Sequence, residues 1–316
     1  MQHYRSLDGI HLDHPWLTIG SFDGVHRGHQ TLIRDLVQGA HAAGCDALAL
    51  TFYPHPAVVL RGLEGPFYLT TPDERAELLG GLGLDGVITL EFNPHMAALT
   101  AREFMSELVA RTLLSRLVIG YDFALGHGRQ GDTPTLRRLG VELGYQVQIV
   151  DPVMVDGEVV SSSRIRTLLG KGDVVEAARF LGRNYSMQGE VVRGDGRGRA
   201  LGFPTANMDI WREQLLPASG IYATWTWIDG QRWPSVSNVG VRPTFETGPV
   251  PPRVEAYVLG WDQDLYGKNI RLDYVRYLRE ERRYADVNAL IAQMRLDVQQ
   301  AEGVFNDESR ATGLSA

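Results

Sequence analysis

Along the first half of the chain, short runs of Val, Ile and Leu alternate with stretches whose apolar residues recur every three or four positions. Leu17–Ser21 reads as a buried strand, and the residues from about Gly28 to Ala43 as the helix that follows it. Ala47–Phe52 and Pro72–Leu82 repeat the strand–helix pair. Val87–Phe92, Ala101–Leu114, Leu117–Tyr121, Thr133–Leu143 and Gln146–Val150 continue it. Strands that are apolar along their whole length, alternating with helices, predict a doubly wound parallel sheet covered on both faces. In such sheets ligands bind beyond the carboxyl ends of the strands.

The texture then changes. Ser162–Leu169 and Asp173–Leu181 read as two short helices broken by Gly-Lys-Gly, and from about Arg183 onward the pattern is β. Met187–Val192, Ile221–Ile228, Val254–Leu259 and Ile270–Tyr277 are the expected strands, with Asp229-Gly230 as a hairpin turn. In Ile221–Ile228, Ala223, Trp225 and Trp227 share one face and Tyr222, Thr224 and Thr226 the other, the period-2 pattern of a half-buried strand. A last helix carries Val287, Leu290, Ile291, Met294, Val298 and Ala301 on one stripe. The expected organisation is an α/β domain over 1–183, a small antiparallel β-barrel with a C-terminal helix over 184–308, and a frayed polar tail over 309–316.

Composition narrows the field. A chain of 316 residues suits about two domains. With 44% apolar and 22% charged residues it is neither disordered nor a coiled coil. No run approaches the ~18 uninterrupted apolar residues of a membrane helix, and no signal peptide is visible. The single cysteine, Cys45, fits a reducing cytoplasm. A formal charge of −7 argues against a nucleic-acid partner, yet leaves room for basic pockets that hold small polyanions.

Four segments stand after strands or at helix starts on what should be one rim of the sheet. Gly20-Ser21-Phe22-Asp23-Gly24-Val25-His26-Arg27-Gly28-His29 joins a strand to a helix N-terminus, where free amides and the helix dipole favour an anion. His26 and His29 could donate to phosphate oxygens there. A tight turn with two exposed histidines has the same spelling, and a zinc site is improbable without soft ligands nearby. Ser161-Ser162-Ser163-Arg164-Ile165-Arg166 opens a helix; its hydroxyls suit N-caps, but two arginines in the first turn oppose the dipole unless a polyphosphate is bound. Gly120–Asp132 is a Gly-rich loop with one arginine and two carboxylates, and Tyr53-Pro54-His55-Pro56 reads as a proline-stiffened turn. In the second half, Gly194–Asn207 interleaves glycines and arginines, as phosphate contacts require. Thr205 and Asn207 offer neutral oxygens two residues apart, which suits a hydrated magnesium ion. Glu255 lies within an apolar strand, where a glutamate is more often solvent-facing.

Together, the Gly-x-Phe-Asp-Gly-Val-His-x-Gly-His, Tyr-Pro-His-Pro, Asp-Phe-x-x-Gly-x-x-Arg-x-Gly and Ser-Ser-x-Arg-Ile-Arg segments resemble the FMN adenylyltransferase (FAD synthetase) module of the bacterial bifunctional flavin enzymes. The second half, from Arg197-Gly198-Arg199-Ala200-Leu201-Gly202-Phe203-Pro204-Thr205-Ala206-Asn207 through Asn238-Val239-Gly240-Val241-Arg242-Pro243-Thr244-Phe245 to Asp264-Leu265-Tyr266-Gly267, is similar to their riboflavin kinase module. The resemblance covers nearly the whole chain. It implies a Rossmann-like nucleotidyltransferase domain followed by a kinase barrel, with riboflavin, FMN, FAD, ATP, ADP and pyrophosphate as partners and magnesium as the metal. It further implies Glu255 as the kinase base and His26, His29 and Arg164 as the adenylyl-transfer residues. ATP would be held by Gly20, Phe22, Asp23, Gly24, Gly28, Ser162, Ser163 and Arg166 in the first site. In the second it would meet Gly194, Gly196, Arg197, Gly198, Arg199, Gly202 and Pro204. Flavin contacts would come from His55, Pro56, Asp122, Phe123 and Arg129, and from Asn238, Arg242 and Arg279. Tyr257 stands where the family often has histidine. Intact phosphate motifs in both halves weigh against a single live module and against a non-enzymatic flavin sensor.

Overall fold

The structure is a computed structural model that describes residues 1–10, 12, 14–194, 196, 198, 201–240 and 253–312, with side chains to 308. Its contacts divide the chain into two compact units, Met1–Ser162 and Ser163–Ala316.

In the first unit, β1 (Gln2–Tyr4), β2 (Trp16–Ile19), β3 (Ala47–Tyr53), β4 (Gly86–Glu91), β5 (Arg116–Gly120) and β6 (Gln146–Val150) form one parallel sheet in the order β1-β4-β3-β2-β5-β6. The helices are α1 (Arg27–Ala42), α2 (Pro56–Arg61), α3 (Pro72–Gly80), α4 (Pro94–Ala98), α5 (Ala101–Thr112) and α6 (Thr133–Leu143). Successive strand residues feed opposite faces. Leu48 and Leu50 pack with Phe104, Met105 and Leu108 of α5 and with Leu136 and Leu139 of α6. Ala47 and Ala49 pack with Ile33, Leu36 and Ala40 of α1 and with Ala76 and Leu79 of α3. The doubly wound sheet is therefore as expected. Chain order runs outward from β2 through β3 to β4, then returns to β5 on the other side of β2. That reversal opens a crevice beyond the carboxyl ends of β2 and β5, the place where such sheets bind ligands. A two-stranded ribbon, β7 (Met154–Val155) with β8 (Glu158–Val159), closes the unit.

The second unit begins with α7 (Ser162–Leu169) and α8 (Val174–Leu181). Contacts thus separate the units well before the expected boundary at 183. The reason is packing: α8 buries Val174, Ala177, Phe180 and Leu181 and lies on strands of the barrel, while the Leu169 carbonyl accepts from Ala218 N at 2.9 Å. The strands are β9 (Tyr185–Val192), β10 (Ala206–Ile210), β11 (Gly220–Ile228), β12 (Gln231–Gly240), β13 (Arg253–Val258) and β14 (Asn269–Arg279). They close in the order β10-β13-β12-β11-β14-β9, antiparallel throughout. The C-terminal helix α9 (Val287–Thr312) follows.

Strand β11 is covered on both sides rather than half-buried. Tyr222, Thr224 and Thr226 are fully buried inside the barrel, while Ala223 packs with Val275 against Ala301, Val304 and Phe305 of α9. The buried hydroxyls satisfy one another: Thr224 Oγ1 lies 2.8 Å from Ser235 Oγ and 2.6 Å from Ser237 Oγ, and Thr226 Oγ1 donates to Ser235 Oγ at 2.7 Å. This chain explains why β12, with Pro234 and two inward serines, has no apolar alternation to betray it. The expected stripe on α9 is only partly core. Ala301 is buried and Val287 is exposed, whereas Leu290, Met294 and Val298 line a cavity against the barrel.

Candidate active sites

The loop after β2 is wound tightly, with positive φ at Phe22 (46°), Gly24 (81°) and Val25 (39°). Such conformations in non-glycine residues persist only where surroundings hold them. Here Phe22 and Val25 are anchored in the core on the α1 face of the sheet. Gly20 has no side chain because a Cβ would meet the Phe22 ring at 2.9 Å. Asp23 is buried, and its carboxylate accepts from Leu69 N at 3.0 Å and from Thr70 N at 3.2 Å, bracing the loop against the residues before α3. Its carbonyl accepts from Ser162 Oγ at 2.9 Å.

His26 is the N-cap of α1, its Nδ1 accepting from His29 N at 3.3 Å. That bond leaves Nε2 of His26 to carry the proton. The two rings stack with centroids 3.5 Å apart and planes 16° from parallel, and a Cβ on Gly28 would lie 3.2 Å from the His26 ring. Gly28 therefore admits the ring, rather than only a ligand as the sequence suggested. Burial, then the neighbouring His26, then the Arg75 guanidinium hold the His29 imidazole well below its ordinary pKa. His29 as a residue is partly exposed, yet its Nδ1 is shut off from solvent and has no partner. The pair is a hydrogen-bonding site at the start of a 16-residue helix, suited to phosphate oxygens.

Beside it lies a cavity of about 500 Å³. Gly20, His55, Pro56, Asp122, Phe123 and Arg129 all line it, so residues from three of the four expected motifs converge. The Tyr-Pro-His-Pro segment is the start of α2, with the His55 side chain accepting from Ala57 N at 3.0 Å. The Gly-rich loop is firmly held. Leu125 and Gly131 exchange backbone hydrogen bonds, His127 N donates to the Leu99 carbonyl at 2.8 Å, and Arg129 donates to the Asp122 carbonyl at 2.9 Å. Gly126 is required by close approach, since a Cβ there would meet Ala101 N at 2.5 Å. Sequence reasoning missed Arg75, a fully buried arginine beneath the chain ends that leave β2 and β3. Ser163, Arg164 and Arg166 lie on α7, which the contacts assign to the second unit.

In the barrel, register supplies what spacing could not. Asn207 on β10, Glu255 on β13 and Asn238 on β12 are directly opposite one another, forming a row across three strands. Thr205 Oγ1 donates to Glu255 Oε2 at 3.3 Å, and Arg253 lies 3.9 Å from Glu255 Oε1. Glu255 is thus part of a polar cluster rather than an isolated solvent-facing side chain. Asn207 Oδ1 is buried without a partner, and a Cβ on Gly194 would fall 2.3–2.6 Å from the Asn207 amide. An orphaned carbonyl oxygen in a cradle that only glycine leaves open fits a hard cation. Among the described residues no trio of His, Cys, Asp and Glu could hold a metal, so a cation here would rest on neutral oxygens and on its ligand's phosphates.

Two cavities adjoin this cluster. One, of about 160 Å³, lies between the barrel wall and α9 and is lined by Asn238, Glu255, Tyr257 and Arg279 together with Leu290, Met294 and Val298. The other, of about 600 Å³, is lined by Pro204, Ala206, Ala256 and the residues Trp261–Tyr266. Thr205 lines both. Tyr257 stands edge-on to Phe203 at 5.3 Å between ring centroids, filling wall space where the resemblance led us to expect histidine. Arg279 is held in a two-pronged pair with buried Asp297, at 2.7 and 2.6 Å, so its guanidinium is fixed to α9. In the expected phosphate loop, Gly196 and Gly202 adopt positive φ, 68° and 84°. A Cβ on Gly198 would meet the Phe203 carbonyl at 2.4 Å. Arg197, Arg199 and Arg242 lie outside the described residues.

Comparison with known proteins places these sites in a family. Residues 8–164 match the FAD synthetase family and residues 181–305 the riboflavin kinase family. The chain is 36% identical over 307 residues to the bifunctional riboflavin kinase/FMN adenylyltransferase of Pseudomonas fluorescens, covering 96% of this chain and 98% of that one. It is 32% identical to the protein of that name from Bacillus subtilis, over 94% of this chain and 98% of the relative. A crystal structure described as a macrolide-efflux protein from Streptococcus pneumoniae superposes with a TM-score of 0.85 at 28% identity, covering 95% of this chain and 98% of that one. Two family matches in this order, each on a unit with its own polar pocket, identify the chain as a member of the bacterial bifunctional riboflavin kinase/FMN adenylyltransferase family.

Proposed function

We propose that the second unit transfers the γ-phosphoryl group of ATP to the 5′-hydroxyl of riboflavin, giving FMN and ADP. The first unit then joins the FMN phosphate to the α-phosphorus of a second ATP, giving FAD and pyrophosphate. The observation that carries the kinase reading is that Thr205 borders two cavities and donates to Glu255. A hydroxyl acceptor under α9 and a triphosphate on the other side of Thr205 could meet there. An alkyl hydroxyl is hardly ionised at neutral pH, so Glu255 takes its proton as the phosphoryl group arrives. Magnesium, held by Thr205 and Asn207, would offset triphosphate charge.

The adenylyl step needs no such base, because the attacking phosphate is already largely dianionic with a second pKa of about 6. What it needs is positioning and stabilisation of charge on the α-phosphate and the leaving pyrophosphate. The stacked histidines at the start of α1 and the cavity between α2 and the Gly-rich loop support that division of labour. The roles of Ser162, Ser163, Arg164 and Arg166 in gripping ATP belong to the same proposal on the ground of their motif, as does a cytoplasmic setting. Incubating the protein with riboflavin, ATP and magnesium and following the flavins by chromatography tests the whole scheme. FMN should appear first and FAD after it; riboflavin left unconverted, with supplied FMN also unchanged, would refute both assignments.

A further inference from the structure

Arg75 sits on α3 with no solvent exposure at all. Its Nη1 donates to the Ser21 carbonyl at 2.6 Å, to Thr51 Oγ1 at 3.4 Å and to the Phe52 carbonyl at 3.5 Å. Ser21 and Phe52 both line the cavity that gathers the expected flavin contacts of the first unit. The guanidinium therefore binds together, from beneath, the chain ends leaving β2 and β3. Asp23 ties the same loop in the opposite direction, reaching from the loop to the amides just before α3.

This arrangement is an odd choice if its purpose is stability. Nε and Nη2 of Arg75 are buried and have no acceptor. Burial lowers the pKa of the group, against the pull of Asp23 and the Tyr68 and Tyr53 phenols. A buried cation with orphaned N–H groups is a poor stabiliser, and an apolar residue of similar length often does as well or better. Nor would its loss strand its main acceptor, because Thr51 Oγ1 also donates to the Ser21 carbonyl, at 3.0 Å. Groups that burden the fold and fix the geometry of a site are expected where function sets the geometry.

The geometry points to Arg75 as a positioning residue for adenylyl transfer, a buried guanidinium whose Nη1 fixes the cavity floor at Ser21 and Phe52 without reaching the substrates. The inference rests on the first unit being the adenylyltransferase. The test uses the full chain as wild type and in two variants of the position, Arg75→Met and Arg75→Lys. FMN adenylylation is measured with kcat and KM separated, alongside riboflavin phosphorylation and thermal melting. For Arg75→Met the expected result is a kcat loss of roughly 10²-fold, the scale of an ångström-level misplacement. KM should change little, phosphorylation should persist and the melting midpoint should be unchanged or higher. Arg75→Lys should fall between the two, since an ammonium can donate from one nitrogen as Nη1 does but sits on a shorter, more flexible stem.

A methionine variant with wild-type kcat overturns the inference. So does one that loses melting temperature and both activities together, which would make Arg75 an ordinary structural brace. If the methionine variant does not fold, a lysine variant at wild-type kcat overturns it instead. A wild-type protein that forms no FAD from FMN refutes the underlying assignment, an outcome distinct from any of these.

Discussion

The two units solve neighbouring problems with different materials. The first carries its candidate site on loops, where positive φ at Phe22 and Val25 leads into a histidine N-cap. The second builds its site on strands, where register sets Asn207, Glu255 and Asn238 in a row and Thr205 beside the carboxylate. On the proposed assignment the difference follows the nucleophile. A phosphate arrives ionised and needs donors and placement; a hydroxyl arrives protonated and needs a base. In the first unit the buried carboxylate of the loop that leads to the histidines, Asp23, is engaged with backbone amides, which suits chemistry without a base.

The sharpest way to break this contrast is Glu255→Gln, which keeps shape and removes the proposed base. Riboflavin phosphorylation should fall about 10²–10⁴-fold, while FAD formation from supplied FMN is unchanged. Equal loss of both reactions in a folded variant would erase the distinction drawn here. His29→Ala is the reciprocal substitution. It should lower FAD formation by about 10²–10³-fold, the usual effect of deleting a donor to developing charge, and leave FMN production intact. Gly194→Ala probes the proposed cation cradle more gently, since its Cβ must push aside the Asn207 amide. The magnesium concentration needed for half-maximal phosphorylation should rise by about 10-fold, with no change in adenylylation.

The smallest effect concerns acid. Folding holds His29 neutral, whereas an unfolded chain takes up a proton there below about pH 6.5. The unfolded state then binds more protons, so stability falls as pH drops below that value and is restored above it. A thermal melt of the wild type between pH 7.5 and pH 5.5 should show the decline, and His29→Asn should flatten it. An unaltered slope in that variant would mean that other groups govern the acid response.

Where the sequence succeeded, several signals agreed. The expected helix Thr133–Leu143 is the observed one because Asp132 caps its start through Thr135 N and Gly144 ends it at φ 86°, with Leu136 and Leu139 on the inner stripe. Where it failed, the burying face was not apolar. Strand β12 hides serines whose partners are threonines on β11, and no hydropathy pattern reveals a hydroxyl chain. Arg75 follows Asp73 and Glu74 in an amphipathic helix and looks like a surface charge, although Ala76 and Leu79 beside it are core. Strand β10, five residues beside a glycine-rich loop, reads as part of that loop until its pairing with β9 and β13 is seen.

The residues by themselves determined the layered first half, the β second half, the phosphate-type motifs and the family, because apolar period and motif spelling are local properties of the chain. Tertiary structure decided which of those residues meet. It set Glu255 beside Thr205, stacked His26 on His29, reserved the Asp23 carboxylate for the loop and moved α7 and α8 to the second unit. Such neighbours are fixed by strand register and by close packing between distant segments, and neither is encoded at a fixed spacing along the sequence.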